Sequence, residues 1–239
     1  MTGYEIRGLS ISNYRDQSVL LDDVFGADGV ATGTMVAMNA EKIVIAETDI
    51  DLRDSIEKAD YRYADGVSVV LAVRRRHGVR LARIAGADLW QSMMRRAAQQ
   101  NTPVFLLGGR PPVSLEVERR LRVDWGVHVV GRRHGYFAES ERGDIMREIR
   151  DSGAQIVAVA LGSPKQEIFM QECHRRHPAA LYIGVGGSFD VVSGHVRRAP
   201  VLLRRCGMEW CYRILTNPSR WGRVRRLARF AGYYWRNRL

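Results

Sequence analysis

Apolar positions along this chain follow two alternating periods. Short β-branched or apolar runs recur at Thr34–Met38, Val104–Leu107, Val127–Val130, Ile156–Leu161 and Leu181–Val185, bounded by Gly, Pro or Asn. Runs of this kind, without polar alternation, suit parallel strands covered on both faces. Between them, stretches with helical spacing occupy 40–59, 86–100, 112–124, 139–152 and 164–177. Gly153 follows Asp151-Ser152, where a helix C-terminus accommodates a left-handed residue. The alternation predicts an α/β architecture, a Rossmann-like doubly wound sheet with flanking helices.

Charge divides the chain into two parts. Lys+Arg 37 against Asp+Glu 26 gives a net charge of +11. Residues 197–239 hold twelve arginines and a single acid, Glu209, so the whole excess lies there and residues 1–196 sum to zero. We therefore expect a neutral α/β core over 1–196 and an Arg-rich helical appendage over 197–239, with the boundary near Pro200. Such asymmetry points to a polyanionic partner: nucleic acid, an anionic membrane or a phosphorylated ligand. The 23 Gly, 7 Pro and 3 Cys exclude collagen-like, low-complexity and disulfide-scaffold classes. Cys173, Cys206 and Cys211 form no CxxC pair and fit a reducing compartment. The N-terminus lacks a secretory pattern, and no apolar stretch has the length of a membrane span.

In an open parallel sheet, ligands gather beyond the C-terminal ends of the strands. The segments expected there are Asn39, Ala64-Asp65-Gly66, Gly108-Gly109, Gly131–Gly135, Leu161–Glu167 and Gly184–Asp190. Clustered glycines admit a phosphate close to the backbone. Gly184-x-Gly186 begins like a dinucleotide fingerprint, but Phe189 occupies the third glycine position. Asp49-x-Asp51 resembles a metal-binding acidic pair of sugar transferases, yet its place between two helical stretches favours Asp49 as a helix cap. His174-x-x-His177 beside Cys173 has no second convergent pair for zinc, so no metal and no cofactor are expected. Asp65 reads either as a cap or as a general base. Glu209-Trp210-x-Tyr212-Arg213, followed by Pro218-x-Arg220-x-x-Arg223, has the character of a phosphate clamp.

These segments carry a resemblance to the WecG/TagA/CpsF glycosyltransferases. It runs from about Thr34 to Arg223 and includes Asn39-Ala40-Glu41, Ala64–Val67, Ala85–Leu89, Phe105–Gly109, Leu161–Glu167, Gly184–Asp190, Arg198-Ala199-Pro200 and Glu209–Arg213. The resemblance implies inverting, metal-independent transfer from a UDP-sugar to an undecaprenyl-diphosphate-linked acceptor in cell-surface polysaccharide synthesis. The sugar would be N-acetylmannosamine, its uronic acid, or glucose. It further implies Asp65 as catalytic base and Asn39 beside the acceptor sugar. Gln166, Gly184, Gly186, Gly187 and Asp190 would line the donor pocket, with Arg213, Arg220 and Arg223 neutralising the diphosphate. Many members have Thr where this chain has Ala37. A basic nucleic-acid-binding module and an NAD-dependent Rossmann oxidoreductase are the rival readings. The glycine-rich strand ends argue against nucleic acid as the partner, and the broken fingerprint argues against NAD.

The terminal segment adds one more expectation. On a helical projection of 224–239, Val224, Leu227, Ala228, Ala231 and Trp235 share one face. Arg225, Arg226, Arg229 and Arg236 share the other, with Tyr233 near them. A basic amphipathic helix of this kind suits an anionic membrane surface, placing the protein peripherally on the inner, cytoplasmic face of the cell membrane. The competing reading packs the apolar stripe on the body.

Overall fold

A computed structural model describes residues 3–26, 29–205, 207–216 and 221–239. The chain opens with a hairpin of β1 (Gly3–Ile6) and β2 (Leu9–Ser12). Helix α1 (Gln17–Val24) follows, capped by the Asp16 carboxylate on two backbone N–H groups. The two-residue strands β3 (Phe25–Gly26) and β4 (Gly29–Val30) then pair antiparallel. The alternating part begins with β5 (Gly33–Met38), α2 (Ala40–Ile45), α3 (Ile50–Glu57) and β6 (Tyr61–Ala64). It continues through α4 (Val67–His77), α5 (Gly86–Gln99), β7 (Val104–Gly108), α6 (Pro111–Val123) and β8 (Val129–Arg133). Then come α7 (Arg142–Asp151), β9 (Ile156–Ala160), α8 (Lys165–Arg176), β10 (Leu181–Gly184) and α9 (Ser188–Val192). Among the described residues, the chain closes with helices α10 (Val201–Arg205), α11 (Glu209–Leu215) and α12 (Gly222–Trp235).

Six strands form one parallel sheet in the order β6-β5-β10-β9-β7-β8. One row of the register runs Phe105, Val157, Tyr182, Thr34 across β7, β9, β10 and β5. Alternate residues build two cores. Val36, Met38, Phe105, Leu107, Val157, Val159 and Tyr182 pack with α2, α3, α4, α7, α8 and α12. Met35, Ala37, Val104, Leu106, Ile156, Ala158, Leu181 and Ile183 pack with α1, α5, α6 and α9 on the opposite face. This three-layer arrangement is the Rossmann-like α/β fold that the alternation predicts.

The stretch 40–59 divides as expected around Asp49: it breaks at 46–49, where the Asp49 side chain accepts from the Leu52 N–H at 2.9 Å and caps α3. One strand departs from its expected bounds for a local reason. The strand expected at Val127–Val130 instead spans Val129–Arg133. It lies at the sheet edge, where Arg132 and Arg133 reach Glu118 and Glu148 rather than a core.

The C-terminal helices fold back on the body. Arg198 pairs with Asp88 at the start of α5 at 2.6 Å and approaches Glu209 at the start of α11. Helix α12 lies along α2, with Phe230 buried and Leu227, Tyr233 and Tyr234 packed on the first core. The apolar stripe divides accordingly: Leu227 faces the body, while Val224, Ala228, Ala231 and Trp235 are exposed. The projected basic face is also corrected. Arg226 pairs with Glu41 and Arg229 with Glu47, so acids of the body offset charges that the segment itself leaves unopposed.

Candidate active site

Ligand crevices in doubly wound sheets form where neighbouring strands send their connections to opposite faces. In this sheet such divergence occurs at four neighbouring pairs, β5/β10, β10/β9, β9/β7 and β7/β8. From β5 the chain passes to α2 on one face, while from β10 it passes to α9 on the other. The same divergence separates β9, which leads to α8, from β7, which leads to α6.

The ends of β5 and β6 bring Asn39 and Asp65 together. Both Asp65 N–H and Gly66 N–H donate to the Met38 carbonyl, at 3.0 and 3.3 Å. A Cβ on Gly66 would lie 3.4 Å from the Asn39 Cβ. The Asn39 side chain caps α2 by accepting from the Lys42 N–H at 3.0 Å. Asp65 Oδ1 accepts from the Gly86 N–H at the start of α5 at 2.9 Å, and Arg83 Nε donates to the Asp65 carbonyl oxygen. Each carboxylate oxygen has more than one lone pair, so accepting from the Gly86 N–H does not by itself exhaust the acceptor capacity of Asp65. Beneath it the Tyr63 hydroxyl is buried without a hydrogen-bond partner among the described residues. Burial, and then the charges of Asp65 and Glu167, hold that phenol well above its ordinary pKa.

Across the ends of β10, β9, β7 and β8 lies a cleft of about 920 Å³, within the range of small-molecule sites. Gly109, Gly135, Gly162, Gly186 and Gly187 line it, so backbone rather than side chain forms much of its wall. Asp190 and Arg223 line it too, as do Arg110, Arg142, Lys165 and Arg197. Arg142 pairs with Glu139 and Glu172, and Arg223 pairs with Glu41 at 3.3 Å. Arg110, Lys165 and Arg197 have no carboxylate partner among the described residues. They are cations facing an open cleft, and sequence reasoning did not single them out. Arg110 carried a signal, because it directly follows Gly108-Gly109 at the end of β7.

Gln166 and Gly184 occupy a different position from the cleft wall. Gln166 is 4% exposed, behind the β10 loop. A Cβ on Gly184 would fall 2.6 Å from Gln166 Nε2, so glycine there makes room for the amide. Arg220 lies outside the described residues, as does the side chain of Arg213, which belongs to α11. The third-glycine position of the apparent dinucleotide fingerprint, Phe189, is a core side chain stacked near Trp90. Among the described residues, no helix is long and apolar enough to cross a membrane.

The molecule is a Rossmann-like α/β protein with a glycine-lined, cation-edged cleft over the C-terminal edge of its parallel sheet. The chain belongs to the WecG/TagA/CpsF family of glycosyl transferases, whose family model matches residues 4–239, essentially the whole chain. It is a glycosyltransferase of cell-surface polysaccharide synthesis.

Proposed function

We propose that this glycosyltransferase moves a sugar, N-acetylmannosamine, its uronic acid or glucose, from a UDP-sugar to an undecaprenyl-diphosphate-linked acceptor, with inversion and without a metal. The observation that carries this reading is the pairing of Asp65 with Asn39 at adjoining strand ends beside a cation-lined cleft. Asn39 orients the acceptor hydroxyl, and the Asp65 carboxylate takes its proton as the oxygen attacks the anomeric carbon. The bond from that carbon to the diphosphate oxygen breaks with its electron pair, and UDP departs. Gly186, Gly187 and Asp190 line the donor side of the cleft. Arg223, with Arg110, Lys165 and Arg197, neutralises the diphosphate, joined by Arg213 and Arg220 as the family resemblance implies. Gln166 and Gly184 support the donor loop from behind. The C-terminal helices hold the enzyme against an anionic membrane, where a polyprenyl acceptor presents its headgroup.

Product analysis tests the reading. The protein is incubated with a panel of UDP-sugars and a short-chain lipid-diphosphate acceptor, with and without EDTA. We expect one sugar to be transferred with inversion, UDP to be released, and the rate to be unchanged by chelation. Transfer abolished by EDTA and restored by Mg²⁺ would overturn the metal-free mechanism. Absence of both transfer and UDP binding would overturn the substrate assignment.

A further inference from the structure

The crevice between β5 and β10 contains an ion pair that the mechanism above does not use. Lys42, in the first turn of α2, and Glu167, in the first turn of α8, are both buried, and Lys42 Nζ lies 2.8 Å from Glu167 Oε1. The same ammonium donates to the Ala37 carbonyl at 2.8 Å, two residues before Asn39. Glu167 Oε1 also accepts from Gln166 Nε2 at 2.8 Å. An ionised carboxylate only accepts, so this contact fixes which end of the Gln166 amide faces it. The amide oxygen therefore points away, 3.8 Å from where a Cβ on Gly186 would stand. The amide nitrogen fills the space left by the missing Gly184 side chain. Gln166 Oε1 and Glu167 Oε2 have no partner among the described residues, although both are buried. Paired charges buried under such incomplete satisfaction are a poor source of stability compared with an apolar core.

We infer that Lys42, Glu167 and Gln166 form a positioning device, which locks the acceptor-side junction at Ala37–Asn39 to the donor-side loop after Gly184. The inference rests on the transferase reading only for its catalytic consequence. The mechanical link is a property of the fold alone. Transfer needs two substrates held at one distance, and a displacement of about 1 Å between them lowers the rate by roughly 10²-fold. A rigid unit spanning both crevice walls fixes that distance.

Removing one charge leaves the other buried and unpaired, so the test uses the neutral pair Lys42→Met/Glu167→Gln together with Gln166→Leu, which keeps the ion pair. In the first we expect near-native melting with kcat reduced about 10²-fold and UDP affinity within about threefold, because the cleft cations are untouched. Near-native kcat alongside near-native melting in that variant would overturn the inference and leave the pair merely structural. Hydrogen exchange supplies a readout independent of transfer. In the double variant, amide protection is expected to fall at both Lys42–Ile43 and Val185–Ser188. In Gln166→Leu it is expected to fall only at Val185–Ser188. Unchanged protection at Val185–Ser188 in both variants would refute the link. No sugar transfer by the wild type, together with the coupled loss of protection in the variants, would refute the proposed reaction and leave the link standing.

Discussion

At Asp65 the contact with the Gly86 N–H can be separated from catalysis, because that contact needs only an oxygen. Asparagine keeps the acceptor for the Gly86 N–H and removes the basic carboxylate. Asp65→Asn should therefore melt near the wild type and bind UDP normally, while turnover falls roughly 10²–10⁴-fold. Steady-state kinetics with isothermal titration of UDP check this, and full turnover would leave Asp65 a cap. Its neighbour Tyr63 carries the opposite lesson. The hydroxyl is buried and unpartnered among the described residues, so Tyr63→Phe should be neutral or slightly stabilising in thermal melts. A Cβ on Gly86 would stand only 2.9 Å from that hydroxyl and 3.8 Å from Asp65 Oδ1. Gly86→Ala should therefore destabilise by about 1–3 kcal/mol through overpacking, and Tyr63→Phe in the same chain should recover most of the loss. Additive effects in that double variant would show that the clash is not at the hydroxyl.

Helix α12 is seated by acids of the body more than by its own propensity. Glu47 binds Arg7 at 3.0 Å, Arg229 at 2.8 Å and the Tyr233 hydroxyl at 2.7 Å. Glu47→Gln replaces one acceptor oxygen by a donor and removes the charge, loosening the helix by about 1–3 kcal/mol. Faster hydrogen exchange over 222–235 with unchanged exchange in β9 is the expected pattern. Such contacts between distant parts of the sequence mark where it stopped being legible. The inner strands β5, β7, β9 and β10 were readable because both faces are buried, which makes each an unbroken apolar run. Strand β6 is an edge strand reading Tyr-Arg-Tyr-Ala, and only its end at Asp65-Gly66 had a signature. Helix α4 starts Val-Ser-Val-Val, a β-branched run whose helical state comes from packing on β1 and β6. The candidate site divides the same way. Asn39, Asp65 and the cleft glycines sit at strand ends and were readable. Lys42 with Glu167 was not, because no local pattern encodes a pair made between two helices through the crevice.

At the scale of the whole molecule, the question is which surface meets the membrane, and the packing of α12 changes how it must be tested. Truncation after Arg223 would remove Leu227, Phe230, Tyr233, Tyr234 and Leu239 from the first core, so lost vesicle binding would be confounded by damage to the body. The outward face avoids this problem. Val224, Ala228, Ala231 and Trp235 point away from the body, with Trp235 75% exposed. On a helical projection Arg225 and Arg236 lie together beyond one edge of this stripe, and neither has a carboxylate partner among the described residues. Trp221, just before the helix, is 64% exposed. An apolar strip with arginines along one side suits the headgroup boundary, where each arginine contributes about 1 kcal/mol and tryptophan settles at the interface. Arg226 and Arg229 add less, because Glu41 and Glu47 already hold them. The double variant Val224→Ser/Trp235→Ser should thus keep the wild-type melting temperature and UDP affinity. It should bind anionic vesicles about tenfold more weakly, a loss of about 1.4 kcal/mol. Raising the salt should weaken both proteins, since screening acts on the arginines and leaves the apolar strip unaffected. Co-sedimentation with phosphatidylglycerol vesicles at matched ionic strength measures the difference, and equal binding by the two proteins would remove the outward face of α12 from the anchor.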